Sequence, residues 1–189
     1  MLRDRKDHDA GELSTDTTIE WIPALRAFAR SLTKDANDAD DLVQDTLLKA
    51  IRNRDKFQPG TNLRAWLFTI MRNTFYNTCA QKNRERPGET DCASEMPTVS
   101  ADQELSLQGK EVVEVVDHLP LPYRETFILV VLLGESYENC AQICEVEIGT
   151  VKSRVNRARA MVVERLDASG GVQTEGQSAA ANHGPQAQT

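Results

Sequence analysis

With 189 residues, of which 40% are hydrophobic, the chain has enough apolar material for one or two small cores, which excludes a wholly disordered protein. No run of about 18 apolar residues and no apolar N-terminal segment occurs, so neither a helical membrane span nor a signal peptide is expected, and the expected compartment is cytoplasmic. The formal net charge of -7 argues against a uniformly basic coat for nucleic acid, until the charge is mapped along the chain.

Residues 1–17 are charged and Thr-rich without periodicity and read as a mobile tail. Trp21, Ile22, Leu25, Phe28, Ala29 and Leu32 then recur at helical spacing, predicting a first helix over 18–33. A second helix is expected from an Asn37/Asp38 cap to about Arg54, with Val43, Leu47, Ala50 and Ile51 inward. Its first turns carry Asp38, Asp40, Asp41 and Asp45, which the helix dipole alone would explain. Asp41, Leu42, Gln44, Asp45 and Leu48 fall on the opposite face, and carboxylates mixed with leucines there suit a helix that docks on a protein partner.

Gln58-Pro59-Gly60-Thr61-Asn62 is a turn. Beyond it a long helix is predicted over 63–84, with Leu63, Leu67, Ile70, Met71 and Thr74 inward. Phe68, Arg72, Tyr76 and Cys79 point the other way, with Phe75 beside them and Trp66, Asn73 and Asn77 along one edge. Aromatics interleaved with Arg and Asn suit single-stranded DNA, whose unstacked bases lie on ring faces while amides read their edges. Aromatics tucked into neighbouring helices would give the same pattern, and composition leaves the two readings equal.

Residues 85–108, with Pro87, Gly88, Pro97, acids, Ser and Thr, read as a linker able to span about 65 Å when extended. Val112, Val113, Val115, Val116 and Leu119 predict a helix stopped by Pro120 and Pro122, and Thr126–Leu133 another. Tyr137–Cys144, centred on Ala141, is a short amphipathic helix followed by a three-residue break, Glu145-Val146-Glu147. A longer helix follows, with Val151, Val155, Ala158, Val162 and Leu166 on one stripe and Lys152, Ser153, Asn156 and Arg157 opposite, flanked by Arg154 and Arg159. Short helix, tight turn and basic helix describe a helix-turn-helix, whose second helix enters the DNA major groove. A solvated basic face on an ordinary bundle helix is the plainer alternative, and the apolar register on both sides of the turn counts against it. Beyond Ala168 the Gly, Gln, Ala and Ser residues offer no core and are expected to be disordered.

The charge map supports two anion-contacting surfaces. Residues 64–86 carry a net +4 and residues 149–168 a net +3, while residues 89–147 between them carry -11. Cys79, Cys92, Cys140 and Cys144 with His8, His118 and His183 match no zinc spacing, so no metal site and no cofactor is expected. Cys140 and Cys144, one helical turn apart, admit a redox role but fit small buried hydrophobes better.

With DADDLVQDTLLKAIRN, FQPGTNLRAWLFTIMRNTFYN, LPLPYRETFILV, SYENCAQIC and GTVKSRVNRAR in order across about residues 20–166, the chain resembles the extracytoplasmic-function sigma factors of bacterial RNA polymerase. Within them it looks like the general stress response group of alphaproteobacteria. The resemblance implies an all-α chain of two small helical domains, a sigma region 2 bundle over 18–84 and a sigma region 4 helix-turn-helix over 109–168, joined by a flexible linker. It implies a transcription-initiation subunit, not an enzyme, whose partners are core RNA polymerase and promoter DNA. It further implies a small helical anti-sigma factor, removed by a sigma-like response regulator, and no membrane partner.

The same resemblance assigns roles. Asp38, Asp41, Leu42, Gln44, Asp45 and Leu48 look like the polymerase-binding face. The loop Gln58–Asn62, ending in Asn62, and Arg64, Trp66, Arg72, Asn73, Phe75, Tyr76 and Asn77 are similar to the elements that open the −10 element and hold flipped bases. Thr150, Lys152, Ser153, Arg154, Asn156, Arg157 and Arg159 correspond to the helix that reads the −35 element. One departure is Glu145, at a turn position that usually holds Gly. A left-handed backbone there costs a residue with a Cβ about 1 kcal/mol or more, and Glu145 and Glu147 place negative charge beside a DNA-facing helix. Two rival readings are a sigma-like decoy that captures an anti-sigma factor and a stand-alone helix-turn-helix repressor.

Overall fold

The computed structural model describes residues 15–33, 35–85 and 107–171, and among these every regular element is helical. The expected linker falls almost wholly outside the described residues, as do residues 1–14 and 172–189 of the two expected tails.

The first helical segment is divided. α1 (Thr15–Glu20) ends before Trp21, and α2 (Ile22–Leu32) restarts with Pro23 in its first turn, where the missing N–H would have no intrahelical partner anyway. Residues 15–17 thus belong to a helix and not to the N-terminal tail. α3 (Ala36–Arg52) is capped earlier than expected, by the Asp35 carboxylate, which accepts from the backbone N–H of Asn37 at 2.7 Å and of Asp38 at 3.3 Å. Its buried stripe runs through Ala39, Leu42, Val43, Thr46 and Ala50, and leaves Ile51, expected inside, 63% exposed. A short 3-10 turn (Arg54–Lys56) and the positive-φ Gly60 lead to α4 (Leu63–Glu85), whose N-terminus is capped by Asn62 Oδ1 accepting from the Ala65 N–H at 2.8 Å.

α4 is inward on more than one side. Leu63, Leu67 and Met71 pack with α2 and α3 as expected, but Phe68 and Phe75 are buried too, and Phe68 meets Phe28 edge-on at 5.3 Å between ring centroids. A helix that is apolar most of the way round is covered on several sides. Here the further cover is the second half of the chain, since α4 also packs on α7 and α2 on α6.

In that half α5 (Leu107–Asp117) ends ahead of Pro120 and Pro122, as expected, and Pro122 then occupies the first turn of the next helix, α6 (Leu121–Phe127). α6 runs on into a π-helical turn, Ile128–Leu132, closed by the Leu133 N–H to the Ile128 carbonyl at 2.9 Å and ended by Gly134 at φ 72°. α7 (Tyr137–Cys144), capped by the Ser136 hydroxyl, and α8 (Ile148–Gly171) complete the helix pair, and α8 extends past its expected end at Ala168. Val151, Val155 and Ala158 are fully buried in one core with Ile143 and Leu129, and burial of each valine contributes about 1.5–3 kcal/mol.

Candidate nucleic-acid interface

The α7–α8 turn is built on one strained residue. Glu145 adopts φ 54° and ψ 46°, the left-handed conformation. Its N–H reaches the Gln142 carbonyl at 3.3 Å, and the next N–H, of Val146, reaches the Ala141 carbonyl at 3.0 Å, which satisfies the end of α7. Val146 tucks against the core, and the Glu147 carbonyl receives the Thr150 and Val151 N–H groups to begin α8.

α8 then divides as its periodicity predicts. Val151, Val155, Ala158 and Val162 are buried, while Lys152, Ser153, Asn156, Arg157 and Arg159 are exposed and Thr150 is half-buried. Arg157 Nη1 lies 3.4 Å from the Tyr123 hydroxyl at the start of α6. Arg154 is the exception: its side chain is only 25% exposed, and Nη1 turns away to within 3.8 Å of Glu125. The exposed face presents charge and hydrogen-bonding groups of the kinds that contact phosphates and base edges in a groove.

The residues predicted on α4 do not form an open platform. Phe75 is buried, with its ring edge-on to Tyr76 at 5.4 Å. Trp66 is half-buried against Phe57 at 5.2 Å. Asn77 is exposed. Arg64, Arg72, Asn73 and Tyr76 all reach across to carboxylates of the second half. Arg72 Nε donates to Glu125 Oε2 at 3.2 Å, and the Tyr76 hydroxyl donates to the same oxygen at 3.2 Å. The Arg72 guanidinium also lies over the Tyr76 ring, 4.6 Å from its centroid. Arg64 Nε lies 3.0 Å from Glu135 Oε1, off the line of a hydrogen bond, while Arg64 Nη2 donates to the Leu133 carbonyl. Asn73 Nδ2 donates to Glu145 at 3.4 Å.

Burial opposes the charge on Arg72, but Glu125 outweighs it and holds the guanidinium above its ordinary pKa. Burial, reinforced by Glu125, pushes the Tyr76 phenol up as well, so it remains a neutral donor. Sequence reasoning does not single out Glu125 or Glu135. Their signal is a carboxylate beside a long apolar run, Glu125 just before TFILVVLL and Glu135 just after it, where a charge needs a partner to be buried. Glu125 is 1% exposed and Glu135 6%.

On α3 the exposed face carries Asp38, Asp41, Gln44, Asp45 and Leu48, the last 50% exposed. Leu42 is not part of it, being 7% exposed and turned into the core. Ile51, three residues after Leu48 and on the same side of the helix, takes its place as the second apolar group on that face.

Both halves of the chain match known proteins. The family model described as Sigma-70 region 2 matches residues 18–85, and that described as Sigma-70, region 4 matches residues 109–162. The chain belongs to the sigma-70 family. It is of the extracytoplasmic-function type: it is 44% identical to the ECF RNA polymerase sigma factor EcfG of Rhodopseudomonas palustris over 155 residues, covering 82% of this chain and 86% of that protein. Among solved structures it is similar to the sigma factor RpoE in complex with the anti-sigma factor NepR from Bartonella quintana. That match has 42% identity and a TM-score of 0.70, covering 82% of this chain and 98% of that one. It also resembles CnrH in complex with the cytosolic domain of CnrY, at 28% identity and a TM-score of 0.59, covering 81% and 86%. As a sigma-70 family member the chain is a transcription-initiation factor. No helix among the described residues is long and apolar enough to cross a membrane.

Proposed function

We propose that this sigma factor directs core RNA polymerase to a set of promoters in a general stress response, with no catalysis of its own, through three faces. Asp38, Asp41, Gln44, Asp45 and Leu48 of α3, with Ile51 added, dock on the polymerase. Asn62 shapes the loop before α4, and Arg64, Trp66, Arg72, Asn73, Tyr76 and Asn77, with Phe75 as a buried support, open and hold the −10 element. Lys152, Ser153, Asn156, Arg157 and Arg159, joined by Thr150 and Arg154, read the −35 element, the cations fixing register on phosphates and the neutral groups reading base edges. The RpoE structure, with the anti-sigma factor NepR bound, supports control by a small helical anti-sigma factor, which a sigma-like response regulator would remove.

The observation that carries this reading is the two-sided α8: a buried apolar stripe, and opposite it five exposed polar or cationic residues beside a helix-turn-helix turn. Run-off transcription with core polymerase on host genomic fragments, followed by mapping of RNA 5′ ends, tests it. Discrete start sites are expected only when the chain is added, and Arg157→Ala is expected to weaken them while lowering the salt slope by about one phosphate contact. Failure of the chain to produce any new start site would refute the reading.

A further inference from the structure

We infer that the second half of the chain carries a carboxylate latch, Glu125, Glu135 and Glu145, that occupies the α4 side chains in place of DNA, so that the closed chain and the −10-engaged chain are mutually exclusive. This rests on the reading of α4 given above. The positions are specific: the three acids meet Arg72 and Tyr76, Arg64, and Asn73 respectively, four members of one proposed DNA-reading set. A carboxylate offers Arg and Tyr donors the same pair of anionic oxygens that a phosphate does, so each contact is a substitute for one the nucleic acid would make. One site cannot hold both. The latch is also built into the fold and is not a loose surface pairing, because Glu125 and Glu135 are almost fully buried, at opposite ends of the apolar run that the π-helical turn and Gly134 close. Arg154 stands 3.8 Å from Glu125 on the other side, so the carboxylate keeps a cation when α4 leaves. Opening therefore does not leave Glu125 without a cation.

The test compares the full chain with Glu125→Gln/Glu135→Gln, and with Glu135→Gln alone as the milder variant, at low ionic strength. Far-UV circular dichroism checks that helix content is kept. Small-angle X-ray scattering reads compaction, and fluorescence anisotropy with a labelled random-sequence single strand of about 15 nucleotides reads binding. The double variant is expected to expand and to bind the strand about tenfold more tightly, with the single variant between. A double variant that keeps its helices and stays as compact as the parent overturns the latch. Expansion without any gain in strand binding overturns the competition. If in that case promoter-directed start sites persist, the proposed function stands and only this inference falls; if they are absent from parent and variants alike, the reading of α4 falls first.

Discussion

Glu145 combines two physical effects, backbone strain and charge, that a pair of substitutions can separate. Its left-handed backbone, φ 54°, costs a residue with a Cβ about 1–2 kcal/mol. Replacing it by Gly removes that strain but adds about 0.5–1 kcal/mol of unfolded-state freedom. The hydrogen bond from Asn73 that either change weakens or deletes is exposed and long, at 3.4 Å, and adds little. Glu145→Gly is thus expected to stabilise the chain by about 0.5–1 kcal/mol, a rise of about 1–4 °C in Tm for a protein of this size. Glu145→Gln keeps the strain and removes only the charge, so its Tm should match the parent. In binding the pattern differs. A charge about 8 Å from a phosphate in water is worth about 0.5 kcal/mol, so both variants should bind −35 duplex about twofold more tightly. Thermal unfolding by circular dichroism and anisotropy on a duplex carrying a mapped start site measure the two quantities. A Gly variant less stable than the Gln variant would refute the strain argument, and a Gln variant with unchanged duplex affinity would refute the charge argument.

Three further outcomes are expected. Leu48→Ala should leave Tm unchanged while weakening capture by core polymerase in a pull-down, whereas Leu42→Ala should cost about 2–4 kcal/mol in urea denaturation, because only Leu42 is buried. Asp35→Ala should lose about 1 kcal/mol by the same assay, since two N–H groups at the start of α3 lose their acceptor. The hydrogen bond with Cys140, together with burial, pushes the Cys144 thiol well above its ordinary range. The thiolate that alkylating reagents need is therefore scarce in the folded chain up to about pH 9, and mass-spectrometric mapping should find Cys144 unmodified there but labelled in urea.

The parts of the fold legible in the sequence are those set by a single partner surface. α8 shows its true stripe because one side packs and the other faces solvent, so period 3.6 is sufficient. Cys140 and Cys144 are buried as small hydrophobes, as their place on the amphipathic α7 implies. α4 is harder to read because it is covered on more than one side: Phe68 looks outward on a one-sided count but packs edge-on against Phe28 of α2, and Phe75 is likewise buried on a helix that also packs against α7. Leu42 and Ile51 exchange places for a smaller reason. The inward stripe of α3 passes through the small Ala39 and through Thr46, whose burial no hydrophobic count favours, and it carries Leu42 in with them. The carboxylates of the second half are invisible to pattern reading because an acid flanking an apolar run gives no hint of which distant cation it meets. Arg72 and Glu125 are 53 residues apart in the chain.

Glu125 has a consequence for linkage between distant ends of the molecule. The same side chain faces Arg72 and Tyr76 of α4 on one flank and Arg154 of α8 on the other. A ligand that draws Arg154 outward removes part of the positive field around that carboxylate and so tightens its grip on α4; one that draws Arg72 away strengthens its pull on Arg154. By thermodynamic reciprocity the two engagements then oppose each other to equal degree for as long as the halves stay together, and the antagonism vanishes on separation.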